Sequence, residues 1–251
     1  MLEAAILSAT LQLQPVPVEA PSIVAALTHE TVEIREDFAG QELILYGATR
    51  GLTIQDEIIV VLRGPGRDLR VMEKERTFGI WVNSAPLEID DVPSYYAMAS
   101  SLPLEHVATP EELEDAGIGL VTALEARLAE TETSIPIEER QAYLDAIARA
   151  GDRNNVYAEA HRGVEILDGG LFRATMSLPP LTPVGDYVAE VHLLRDGRPI
   201  ASKTTSLRVE KAGIERLLFE FAHNAPMIYG LFCVALAMLA GYLADLVFKR
   251  R

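Results

Sequence analysis

Cysteine is nearly missing from this sequence: Cys233 stands alone, so no disulfide can close within the chain and cysteine-rich zinc or iron–sulfur sites are excluded. Tryptophan is as scarce, with Trp81 the single example. The five histidines (His29, His106, His161, His192, His223) show no i,i+4 pair and no HxH spacing, the patterns a metal site would need. His192 is expected to point outward from its strand into solvent. Catalysis by a nucleophile needs Ser or Cys beside a base and an orienting group, and a phosphate cradle needs a Gly-rich loop opening a helix. Neither pattern occurs: Gly64-Pro65-Gly66 joins strand-like runs and Gly169-Gly170 precedes another. No repeat or low-complexity tract is present. The expectation is a non-enzyme with no cofactor, no metal and no catalytic residue.

Charge is missing from one long stretch. Between Ala225 and Ala244 no side chain is charged at neutral pH, and the largely apolar run extends through Phe248 with Asp245 as its one charge. A helix rising 1.5 Å per residue needs about 20 such residues to cross a hydrocarbon layer roughly 30 Å thick. It must be a helix, because every backbone group has to find its partner inside the segment. A soluble helix of this length would carry a polar face, and this one has none. Residues 225–248 are therefore read as a transmembrane helix and 249–251 as a tail. Lys249, Arg250 and Arg251 follow directly, whereas "AGIERLLFEFAHNAP" before the span holds one arginine against two glutamates. The positive-inside bias puts the carboxyl end in the cytoplasm and the bulk of the chain across the inner membrane, in the periplasm.

An exported domain needs a signal, yet "MLEAAILSATLQLQPVPVEAPS" has no basic n-region, carries Glu3 in its apolar run and offers no clean cleavage site. Residues 1–22 are read as a lead-in or residual signal region, with the true start upstream. The alternative, a tail-anchored protein with its domain in the cytoplasm, leaves the "KRR" cluster on the wrong side.

The formal charge is −15, and the segment from Met227 onward contributes +2 of it (three cations against Asp245), so the outer part carries −17. Such a surface is expected to be repelled by phosphate backbones and anionic headgroups, which argues against nucleic acid as a partner.

From Ile23 to about Ser101 the chain reads as short strands: "TVEIRED", "QELILYGAT", "DEIIVVLRG", "DLRVMEKE", "TFGIWVNS" and "PSYYAMASS". Runs of β-branched and aromatic residues bounded by Gly, Pro, Asp and Asn are the strand signal. A helical interruption follows at about 109–151. Thr109-Pro110-Glu111-Glu112 forms a capping box with proline at the first position. Leu113, Ala116, Leu120, Leu124 and Leu128 recur at helical spacing. A second helix from about Ile137 is expected to bury Ile137, Leu144 and Ile147 and to stop at Gly151. Strands resume at "NVYAEAH" and "LFRATMSLP" and end in a hairpin turning at Arg195-Asp196-Gly197-Arg198. Tyr187, after the Pro183/Gly185 corner, sits where immunoglobulin-like sandwiches pin a strand. The expected fold is mainly β, an immunoglobulin-like β-sandwich over 23–210 with a helical insertion, plus one C-terminal transmembrane helix; two small β-domains, one on each side of the helices, are the alternative. Residues 213–224 form an amphipathic juxtamembrane stem with Ile214, Leu217, Leu218 and Phe221 on one face.

Candidate contact residues are few. Trp81 is either the core tryptophan of a sandwich or an exposed anchor near Asn83. Of Tyr95 and Tyr96, one must face away from the core if the segment is a strand. Arg63, Arg67, Arg70, Lys74 and Arg76 make a basic cluster in an acidic domain. In the span, Gly230, Ala237, Gly241 and Ala244 form a small-residue stripe that lets another helix approach, with Asp245 beside it.

"VVLRGP", "GIWVN", "DVPSYYAMASS" and the ending "AP-x-x-YGL … GYLAD" resemble the alphaproteobacterial transmembrane protein family of Alph_Pro_TM type, over about Ile23 to Phe248. The resemblance implies an exported domain, a carboxy-terminal span, no assigned activity, and genes near sulfite-exporter-type permeases. The functional expectation is a membrane-anchored periplasmic accessory protein that contacts an integral membrane protein such as a transporter of that type. Two alternatives are a periplasmic module binding a small anion in a pocket near Trp81, Asn83 and Tyr95, and a membrane-anchored enzyme of unknown reaction.

Overall fold

The computed structural model describes residues 21–72, 74–83, 86–131, 136–212 and 221–248, with the backbone alone at 75, 77, 137, 138 and 245–248. The lead-in through residue 20, most of the juxtamembrane stem and the Lys249–Arg251 tail lie outside the described residues. Strands β1 (Ser22–Leu27), β2 (Thr31–Ile34), β3 (Gln41–Arg50) and β4 (Asp56–Arg63) come first. Four shorter strands follow, β5 (Gly66–Val71), β6 (Lys74–Thr77), β7 (Ile80–Asn83) and β8 (Leu87–Pro93), and then β9 (Tyr96–Ser100). Helices α1 (Leu104–Val107), α2 (Pro110–Asp115), α3 (Leu120–Glu130) and α4 (Ile137–Arg153) interrupt the strands. Strands β10 (Tyr157–Ala160), β11 (Val164–Ile166), β12 (Leu171–Leu178), β13 (Gly185–Arg195) and β14 (Arg198–Lys211) complete the β-domain, and α5 (Pro226–Phe248) closes the described chain.

Two sheets hold the core. One has the order β1-β3-β12-β11 and the other β10-β9-β4-β13-β14-β2. Alternation is clean in β12, where Phe172, Ala174, Met176 and Leu178 point inward, as a half-buried strand requires. In β4 the alternation disappears and Ile58 through Leu62 are all buried. The cause is a cover on both sides: Leu62, Val60 and Ile58 face the opposing sheet, while Ile59 and Val61 lie on the face that also carries Tyr96, where Gly119 of the helical insertion bonds to the Tyr96 hydroxyl.

The expected immunoglobulin-like arrangement is only partly matched. The architecture is mainly β, but the six-stranded sheet is mixed: β10 pairs with β9 in parallel and β2 with β14 in parallel. The helices bring the chain back in a direction that forces the first of these pairs. The local features of the sandwich reading are present. The Tyr187 hydroxyl donates to the Pro183 carbonyl at 2.7 Å, the corner bond that ties a strand to its approach. The β13–β14 turn has positive φ at Asp196 (50°) and Gly197 (77°), the primed geometry that an Asp-Gly pair favours.

The helical insertion starts earlier than expected, at Leu104, and is more broken. The Thr109 capping box forms, with Glu112 bonding back to the Thr109 amide at 2.9 Å. The run from Leu113 to Leu128 is two helices, not one, because Gly117 (φ 69°) and Gly119 (φ 131°) turn the chain between α2 and α3. Helix α4 buries Leu144 and Ile147 and runs past Gly151 to Arg153. Gly151 serves close packing instead, since a side chain there would collide with the Tyr157 ring.

Candidate functional site: an exposed arm and an uncovered helix

Strands β4 and β9 are neighbours in the large sheet, and the chain between them leaves it. At the exit, Gly64 donates to the Tyr95 carbonyl at 2.8 Å and Ser94 to the Pro65 carbonyl at 3.0 Å. A Cβ at Gly64 would lie 2.9 Å from that of Tyr95 and 3.1 Å from the Tyr187 ring, so only glycine lets the two strands bend together here. Beyond the corner β5 pairs with β8 and, nested between them, β6 pairs with β7 around Phe78-Gly79. The described residues between 66 and 93 thus make one arm, with a root at β5/β8 and a tip at β6/β7.

The root is built into the body. Leu87, Ile89 and Val92 are buried, with Leu69 and Val71 packed against the core. Arg127 of α3 holds Asp91 at 3.0 Å. The tip is different. Phe78 is fully exposed, Ile80 and Trp81 are 68% and 65% exposed, and Val82 is exposed too. Cross-strand register puts Lys74 opposite Asn83 and Arg76 opposite Trp81, so two cations share a face with the indole. Trp81 is therefore not a core tryptophan, and Asn83 lies beside it on an open face.

The tyrosines correct a second expectation. Tyr95 and Tyr96 are both buried. Tyr95 faces the opposing sheet, donates to the Ser177 carbonyl at 2.7 Å and stacks at a tilt on Tyr187, 5.7 Å between centroids. Tyr96 faces the other way, but the helical insertion roofs that face, and burial pushes its phenol up to about 12. The general alternation rule gave two faces; it could not show that both are covered. Tyr95 is in the core and Trp81 and Asn83 are on the arm, so the structure does not bring together the three residues of the alternative anion-binding reading.

The basic cluster also separates. Arg63 lies in the body, bonded to the Gly117 carbonyl at 3.2 Å and to Glu190 at 3.4 Å. Arg70 is paired with Glu88 at 2.7 Å. His192 does sit on the outer face of β13 but is only 14% exposed, 3.5 Å from Glu190. The His192 imidazole beside it, and to a smaller extent the Arg63 guanidinium, hold the Glu190 carboxyl below its usual range despite burial. Among the described residues no group of three His, Cys, Asp or Glu side chains is placed to hold a metal ion.

Helix α5 is the other open surface. Pro226–Ala244 has a mean hydropathy of 2.0, and none of it is buried against the rest of the described residues. Phe221 packs edge-on against Tyr229 and Phe232 on its first turns. Gly230, Ala237 and Gly241 lie along α5, and among the described residues nothing outside the helix's own backbone comes within 4 Å of where a Cβ on either glycine would sit. The side chain of Asp245 is outside the described residues.

The family model described as "Putative transmembrane protein (Alph_Pro_TM)" matches residues 22–250. The chain belongs to this family. The match covers the arm, the helical insertion and α5 together, so all three are part of the Alph_Pro_TM unit. No curated protein matches the sequence. Among solved structures, the crystal structure of Spo0M, a sporulation control protein from Bacillus subtilis, is similar at 10% identity over 82% of this chain, with a TM-score of 0.27. The chain spans 55% of the length of that structure.

The arm was the feature missed in the sequence. "LEIDDVP" alternates buried and exposed residues as β8, and Gly79 splits "TFGIWVNS" into a turn and a strand; the glycine between two apolar runs was the available signal.

Proposed function

We propose that this Alph_Pro_TM protein is a single-pass accessory protein of the inner membrane, with its β-domain in the periplasm, its carboxyl end in the cytoplasm, and an integral membrane protein as partner. The observation that carries the reading is α5: an uncovered apolar helix with Gly230, Ala237 and Gly241 open for close approach, which is what helix association in lipid uses. The cations after Phe248 support the orientation. The likeness to a family linked to sulfite-exporter-type permeases favours a transporter as the partner. The outer domain is read as an immunoglobulin-like scaffold on the strength of the Tyr187 corner, with the parallel edge pairs as additions. Crosslinking in native membranes tests the reading. The expected result is one integral membrane protein attached to the chain, and its loss in Gly241→Leu. Recovery of the chain alone, as a monodisperse monomer after mild detergent extraction, contradicts it.

A further inference from the structure

Phe78 occupies the wrong place for a turn residue. With φ of 51° at Phe78 and 85° at Gly79, the β6–β7 turn asks for positive φ twice, a demand met best by Asn-Gly or Asp-Gly. A bulky side chain in the left-handed region is strained. In return Phe78 makes no use of the fold, being fully exposed. The turn does not explain this phenylalanine, and packing does not either. An apolar surface outside the domain does.

The neighbours identify the surface. Ile80, Trp81 and Val82 surround the tip with apolar area, and Lys74 and Arg76 are exposed beside it. An aromatic side chain at the level where water meets hydrocarbon, flanked by Lys and Arg, is the composition of a lipid headgroup contact. The outer part as a whole is strongly acidic, with a net charge of −17 before the span; at the tip Lys74 and Arg76 share the Trp81 face while Glu75 takes the alternate register position between them, so that one face of the tip is the portion that phosphate headgroups would accept.

Topology puts the root of the arm at the end of the domain that leads to α5. Gly185 lies against Pro65 at the root of the arm and pairs with Val209 near the end of β14. The arm therefore leaves the same end of the domain from which the chain departs towards α5. β14 ends at Lys211 and α5 begins at Pro226, a tether of at most about 50 Å. The arm from Gly66 to Phe78 can reach roughly 40 Å. A tip so tethered meets the membrane of its own anchor at high effective concentration.

We infer that the β6–β7 tip is a second membrane contact, which seats Phe78 and Trp81 in the headgroup layer of the bilayer that holds α5, with Lys74 and Arg76 on lipid phosphates. The inference rests on the reading of α5 as a span. Because Trp81 is the only tryptophan, the fluorescence of the full chain reports the tip alone. The chain is reconstituted in phosphatidylglycerol–phosphatidylcholine vesicles, and Trp81 is challenged with brominated acyl chains and with aqueous acrylamide. Strong quenching by the bromolipid and protection from acrylamide are expected. Phe78→Asn suits the turn better than the native residue, so it keeps the hairpin while losing most of the bromolipid quenching. Lys74→Glu with Arg76→Glu weakens the quenching in the anionic vesicles. Full quenching by acrylamide, with none by bromolipid, places the tip in water and overturns the inference. Protection from both places it on protein, a second copy or another partner, and overturns it equally. Flotation separates the two levels: a chain that floats with vesicles but fails these tests loses the arm contact alone, whereas one that does not float loses the span as well.

Discussion

Asp56 anchors the far end of the long hairpin through one side chain. Its carboxylate accepts from Arg195 at 2.6 and 2.8 Å and from the Thr53 amide at 2.7 Å, and it is wholly buried. The Arg195 bonds, the largest influence, hold the carboxyl below its ordinary value. A group with a depressed folded pKa stabilises fully above its unfolded value near about 3.9 and loses that contribution as the pH falls through the folded value. Asp56→Asn should thus cost about 2 kcal/mol at neutral pH, and the gap from wild type should close in acid, read by thermal unfolding of the full chain in detergent at a series of pH values. Tyr187→Phe should cost about 1 kcal/mol through the lost corner bond, read in the same melts. Tyr187 was legible because a Pro/Gly corner is a local signal. The Asp56–Arg195 pair was not, since 139 residues separate its members and no short-range pattern links them. Tyr95 and Tyr96 failed for a related reason: alternation reports direction, and burial depends on what arrives from elsewhere in the chain.

Elements divide according to whether their partners are local. The capping box of α2, the Asp-Gly hairpin of β13–β14 and the apolar run of α5 each declare themselves within a few residues, and each is present. The arm does not, because its strands look like any others until their pairing is known. Root and tip should behave oppositely on substitution. Ile89→Ala, in the buried root, should cost about 2–4 kcal/mol through transfer and cavity effects, with a matching fall in the melting temperature. Phe78→Asn should leave stability within about 0.5 kcal/mol or raise it. Thr109→Ala removes the acceptor for the Glu112 amide and should cost about 1 kcal/mol, seen as lower protection of α2 amides in hydrogen exchange.

At the scale of the whole molecule, an acidic domain carries open apolar surfaces of different kinds, among them the helix and the arm tip. The helix is continuous and suits hydrocarbon; the tip is small, aromatic and flanked by cations, and suits the interface. Both were visible in composition, but only the helix announced its surroundings, because about 20 uncharged residues have one common explanation while one tryptophan has several. The central claim is that α5 crosses the membrane with the β-domain outside. Cys233→Ala removes the natural thiol, and a single cysteine is then placed either at the exposed β14 position, Lys203→Cys, or after Arg251, for labelling of intact spheroplasts with a membrane-impermeant maleimide. The expected result is labelling at position 203 without lysis and after Arg251 only once the membrane is opened; the reverse pattern would contradict the orientation and with it the proposed place of the domain.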